Sequence, residues 1–135
     1  MNNTGENRGT IQCKKRMHQV VRFEGIRFGS ITPTDIDLSL DYQKKVFVFC
    51  EFKLKGTEIQ DGQRMHLEAL VDGLGYDAIA FICEHEVDDV SQDVIAAEAK
   101  VISYYYYGEW HKAENNRTVK WCIEWFINAK TKQEG

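Results

Sequence analysis

Asp35 and Asp37 stand two residues apart in Thr34-Asp35-Ile36-Asp37-Leu38, and Glu51 and Lys53 stand two apart in Cys50-Glu51-Phe52-Lys53-Leu54. In a strand, residues i and i+2 face the same way, so each pair shares one face. If the two strands pair through Asp41–Lys45, three carboxylates and one ammonium converge at one end of a sheet. Charges on a central strand are costly unless they are paired or bind a metal. Hard oxygen donors without neutral ones suit magnesium or manganese. Lysine adds a point charge beside a reacting phosphate and a group able to orient or deprotonate water. Together these are the means of metal-assisted phosphodiester hydrolysis.

The elements that must position these groups can be read from hydrophobic period. Asp35–Leu40 alternates polar and apolar, the mark of a half-buried strand, and Asp41–Lys45 reads as a hairpin loop. Val46–Cys50 is an unbroken run of β-formers continuing through Leu54, hence a central strand rather than a solvated edge. Lys55-Gly56 and Asp61-Gly62 punctuate the loop that follows, with Asp61 as helix N-cap. A helix is expected over Gln63–Leu74, with Leu67, Leu70, Val71 and Leu74 inward. A third strand is built on Ala78–Cys83 within Tyr76–Val87, and further strands are expected near Ala99–Tyr107 and Trp110. A last helix spans Thr118–Ala129 with Val119, Cys122, Ile123, Phe126 and Ile127 inward. Residues 10–22 are ambiguous: Ile11, Met17, Val20 and Val21 suit a helix face, and a turn follows at Gly25 or Gly29. This order predicts a small α/β (α+β) domain with a mixed sheet.

At 135 residues the chain is the size of one domain, read as a loose tail over 1–9 and a single compact domain over 10–135. Its apolar stretches are too short to cross a bilayer, and its polar start carries no secretory h-region. The net charge of −4 argues against coating nucleic acid by bulk electrostatics, though not against a metal-loaded acidic site. No CxxC pair exists; Cys50, Cys83 and Cys122 sit among apolar residues, as small core hydrophobes in a reducing, cytoplasmic compartment.

With Pro33-Thr34-Asp35-Ile36-Asp37 ahead of an apolar strand ending in Glu51-Phe52-Lys53, the chain resembles the PD-(D/E)XK nucleases. Gln63 in Gly62-Gln63-Arg64 resembles the additional glutamine of their small virus-type replication–repair branch. The likeness covers roughly residues 22–107 and, more weakly, the final helix. It implies a restriction-endonuclease-like mixed sheet flanked by helices and a Mg2+- or Mn2+-dependent nuclease acting on DNA, branched or junction-like. It also implies roles: Glu51 and Asp35 or Asp37 as metal ligands with the Phe52 backbone carbonyl, Lys53 serving the attacking water, and Gln63 steadying the site. The sequence departs from the pattern in that Thr34 separates Pro33 from Asp35, so both aspartates remain candidates. Glu24 is the best-placed further carboxylate. A bacterial or phage-infected host cytoplasm is the setting the resemblance implies. The alternative is a catalytically weak module of the same fold that binds nucleic acid or assembles with replication or repair partners.

Other features carry plainer readings. Glu84-His85-Glu86 with Asp88 and Asp89 is a rival acidic cluster, read as a charged strand end running into a loop. Tyr104–Tyr107 with Trp110 is expected to form aromatic cross-strand pairs rather than a base-stacking platform, since a strand points alternate residues to opposite faces. Trp121 and Trp125, one helical turn apart, read as packing or a homodimer surface. Lys14, Lys15, Arg16, Arg22 and Arg27 form the best basic stripe for phosphates. His18, His66 and His111 have no nucleophile partner in view.

Overall fold

The computed structural model describes Val21, Arg22, residues 24–31 and residues 33–132. These fall into two units, one ending at Pro33 and one beginning at Thr34. The expected tail over 1–9, the basic residues Lys14–Arg16, and all but the end of the ambiguous 10–22 stretch lie outside the described residues. In the first unit Phe28 and Ile31 form an antiparallel bridge around Gly29, whose φ of 65° is the left-handed conformation such a turn requires. Arg22 and Glu24 pair at 2.6 Å on the exposed surface.

The second unit runs β1 (Leu38–Tyr42), β2 (Val46–Leu54), α1 (Asp61–Leu74), β3 (Ala78–His85), β4 (Lys100–Tyr106), β5 (Glu109–Lys112) and α2 (Val119–Lys132). The strands form one sheet in sequential order. Only β2 and β3, joined through α1, run parallel; the other neighbours are antiparallel. The unit is therefore a mixed α+β domain with a five-stranded sheet and two helices.

Strand β2 is apolar on both faces because both faces are covered. Val46, Val48 and Cys50 join Ile79, Phe81 and Cys83 under Val119, Cys122 and Phe126 of α2. Phe47 and Phe49 face the other way, with Ala78, Ala80 and Ile82 under Leu67 and Val71 of α1. Cys50, Cys83 and Cys122 are buried free thiols, as expected of small core hydrophobes. No helix among the described residues is long and apolar enough to cross a membrane.

Three boundaries differ from the sequence reading. The first strand begins at Leu38 rather than Asp35 and takes in Asp41 and Tyr42 of the expected loop. The reason is the turn: Gln43 and Lys44 both take positive φ, 57° and 61°, so a tight three-residue connection, closed by the Lys45 amide on the Tyr42 carbonyl at 3.0 Å, allows Tyr42 to pair with Val46. Helix α1 starts at Asp61, capped by Gln60 rather than by Asp61; Gln60 and Gln63 form a capping box, leaving Asp61 in the first turn where a carboxylate suits the helix dipole. Helix α2 continues past Ala129 because Lys130 donates to the Tyr106 hydroxyl at 2.6 Å and lies over the Tyr106 and Phe126 rings. Leu74, expected inward, is 43% exposed where the chain leaves α1 at Gly75, whose φ is 85°.

The aromatic run behaves as cross-strand pairs. Tyr104 stacks on His111 at 5.0 Å, and Tyr105 meets Trp110 at 5.2 Å. Buried Tyr105 donates to Asp72 at 2.8 Å and the Trp110 indole to Glu68 at 2.6 Å, fastening α1 to the β4–β5 hairpin. These packing differences predict that Phe81→Ala lowers unfolding free energy by about 3–5 kcal/mol in urea titrations, whereas Leu74→Ala changes it by less than about 1 kcal/mol.

Candidate functional site

Because Glu51 and Lys53 continue the odd-numbered register of Phe47 and Phe49, they lie on the α1 face of the sheet. Leu38 pairs with Cys50, so Asp37, one step before β1, comes level with Glu51. Asp37 closes the end of the hairpin: its Oδ2 accepts the Phe52 backbone N–H at 2.8 Å. In a strand a residue's N–H and C=O leave from the same edge. The Phe52 carbonyl is thus directed to the side on which β1 has ended.

Glu51 is 3% exposed, the buried charged residue among the described residues. Burial is the main force pushing its carboxyl up to about 7, with the negative charges of Asp37 and Asp35 adding to it and the Asp37 backbone amide opposing it. Lys53 sits two residues on, where the parallel register sets it opposite Glu84, and its ammonium binds Glu84 Oε2 at 2.7 Å. Asp35 and Asp37 are themselves exposed.

Thus Asp35, Asp37, Glu51 and Lys53 come to one end of β2, with Asp37 the nearer aspartate by register. Gln63 lies on the first turn of α1, half-buried, and its Oε1 accepts the Gln60 backbone N–H at 3.3 Å, so it caps its own helix. Glu24 belongs to the first unit and pairs with Arg22. Arg22 and Arg27, from the basic stripe, are exposed there.

Among the described residues no three His, Cys, Asp or Glu side chains form a group able to cage a metal. The donor set still suits one kind of ion. Magnesium keeps much of its water and is commonly held by one or two carboxylates with substrate phosphates completing its shell. Asp37 and Glu51 are two such carboxylates, crowded enough to raise the proton affinity of one of them.

The rival acidic stretch is the charged end of β3 running into a loop. His85 Nδ1 accepts the Val87 N–H at 3.1 Å, and Asp89 accepts from the Ser91 amide and hydroxyl. Glu84 also belongs to that stretch in sequence, and its pairing with Lys53 arises only from the β2–β3 register. Comparison with protein-family models, with curated proteins and with solved structures gives no match.

The Glu51 carboxyl gives the domain a pH signature. Its folded-state value, about 7, exceeds the ordinary 4.5, so the native state holds a proton that the unfolded chain releases between these values. Stability from this group is fully present below about pH 4.5 and is lost as pH rises through about 7. The expected loss is up to about 3 kcal/mol, less where water screens the carboxylate. Urea titrations at pH 5 and pH 8 should show a fall that Glu51→Gln abolishes; an unchanged fall in the variant would place its origin elsewhere.

Proposed function

We propose that this chain is a divalent-metal-dependent phosphodiesterase acting on DNA, with a restriction-endonuclease-like arrangement of its sheet. The observation that carries this reading is the meeting of buried Glu51 with Asp37 at the end of a central strand, with Lys53 on the same face. Glu51, Asp37 and the Phe52 carbonyl would hold Mg2+ or Mn2+, and Asp35 adds negative charge. Such an ion supplies Lewis-acid polarisation of a phosphoryl oxygen and a more acidic water.

The chain's own groups supply the rest. Asp37 fixes the Phe52 backbone by its 2.8 Å hydrogen bond, which orients the donor edge of β2. Glu84 holds the Lys53 ammonium at the site, ready to exchange a carboxylate oxygen for a phosphate oxygen or a water. Gln63, through its cap, fixes the start of α1 on the same face of the sheet.

A second reading is favoured by that same ion pair. With Lys53 held by Glu84, and with two rather than three carboxylates in reach of one ion, the fold also suits a catalytically weak module that binds nucleic acid or assembles with replication or repair partners.

The test is cleavage of supercoiled plasmid and of a synthetic four-way junction with Mg2+, Mn2+ or chelator. Metal-dependent cutting is expected, reduced at least about 100-fold by Lys53→Ala and abolished by Glu51→Gln. A folded wild type that cuts neither substrate in either metal would move the assignment to the second reading.

A further inference from the structure

On the opposite, α2 face of the sheet lies a groove of about 380 Å3 whose lining includes buried Phe81, Val101 and Cys122, with Lys112, Arg117 and Trp121 among its other residues. It lies in the size range of sites that hold small planar ligands, roughly 300–1,000 Å3. Trp121 and Trp125 also line a second hollow further along the helix, so the two indoles form a shared ridge between them. They are 42% and 48% exposed, which speaks against packing within the domain and leaves a surface role, the homodimer face among the expectations. Four residues apart on α2, they are separated by about 6 Å along the helix axis.

The ridge has a local electrostatic character of its own. The Arg117 guanidinium lies 4.3 Å from the centre of the Trp121 ring. Neither Arg117 nor Lys112 forms an ion pair with any described residue. An arginine with no carboxylate partner, lying over one of two exposed indoles in a chain of net charge −4, makes a place where an anion with a flat apolar face is welcome. Glu114 is the carboxylate in the first groove; in the second hollow Glu124 is approached by Lys120 at 3.8 Å.

Unpaired nucleotides have this chemistry: each base offers a π-face and each linkage a negative charge, and aromatic ridges beside basic residues hold single strands without regard to sequence. A duplex hides its bases within the stack and offers the ridge only phosphates. A second copy of the chain is the rival occupant, since a two-fold contact could set Glu114 or Glu124 of one copy against Arg117 of the other, and a concentration-dependent dimer would reveal it. We propose that the Trp121–Trp125 ridge, with Arg117, is a binding site for single-stranded nucleic acid. It stands apart from the carboxylate site and needs no catalysis.

The experiment is binding of fluorescein-labelled oligo(dT) and oligo(U), and of a duplex of equal length, measured by anisotropy in chelator. Tryptophan quenching is followed in parallel in a Trp110→Phe background, where only the two ridge indoles report. Single strands are expected to bind more tightly than duplex and to quench the fluorescence. Trp121→Ala and Trp125→Ala should each weaken binding about tenfold or more. Arg117→Ala should weaken it and lower the salt slope by about one. Both tryptophans are half-exposed, so circular dichroism of the variants should match wild type. Absent binding, equal affinity for duplex, or single-strand affinity untouched by the tryptophan changes would each overturn the proposal. So would a concentration-dependent dimer that these changes dissolve, which would assign the ridge to a second copy.

Discussion

Glu51 is buried on a strand that helices cover from both sides, and a carboxylate there must lose its charge, meet a cation or be compensated by dipoles. The surroundings supply partial compensation only. The Asp37 amide favours the ionised form, while burial and two neighbouring aspartates disfavour it, so the group is held close to neutral-pH titration. The nearby ammonium of Lys53 is engaged with Glu84. A hydrophobic side chain at position 51 would extend the apolar register of Phe47 and Phe49 at no electrostatic cost. A carboxylate in its place is therefore a departure from what packing asks for, and departures of this kind are where function is sought.

The rest of the domain fixes that carboxylate in position. The parallel β2–β3 pair, with α1 crossing between them, places Lys53 opposite Glu84, and the antiparallel hairpin places Asp37 level with Glu51. Helix α1 is tied to the far strands by the Tyr105–Asp72 and Trp110–Glu68 hydrogen bonds. Helix α2 closes the other face through Val119, Cys122 and Phe126. A change that slipped β1 by one residue would turn Asp37 from Glu51 to the other face of the sheet, because the side-chain period is two.

Much of this was legible in the residues. The unbroken Val46–Cys50 run announced a strand covered on both faces, and the 3- and 4-residue spacing of Leu67, Leu70 and Val71 announced the helix beside it. Strand period and a short turn directed both Asp35 and Asp37 toward Glu51 and left the nearer one open; the β1–β2 register brings Asp37 level with it. What local pattern could not convey was register and competition. Gln63 carries the residue type of a site helix, yet its side chain is engaged by the Gln60 amide. Asp61 has the type of an N-cap, yet a capping box one residue earlier takes that position. Glu84 belongs to a different strand, and its pairing with Lys53 depends on parallel alignment set by the length of the α1 crossover. Arg117 and Trp121 meet across the start of α2, where a loop residue and a helix residue become neighbours only once the chain has turned.

The sheet also relates its far edge to the carboxylate site. Glu51 is in register with Ile82, Ile82 with Ser103, and Ser103 with Lys112, so Lys112 ends a single row across four strands on the face that carries Glu51. At about 4.8 Å per strand, that row spans roughly 14 Å. Lys112 therefore lies at the level of Glu51 along the strands, across the width of the sheet from it. The β3–β4 irregularity falls at Ile82/Cys83, beside this row, where an added local twist turns the outer hairpin relative to β2. Along this face Lys112 stands at the hairpin end and Lys53, held by Glu84, at the β2 end. Asp37 and Glu51 stand at the β1–β2 end of that row, where burial and crowding leave the Glu51 charge only partly compensated by the fold itself.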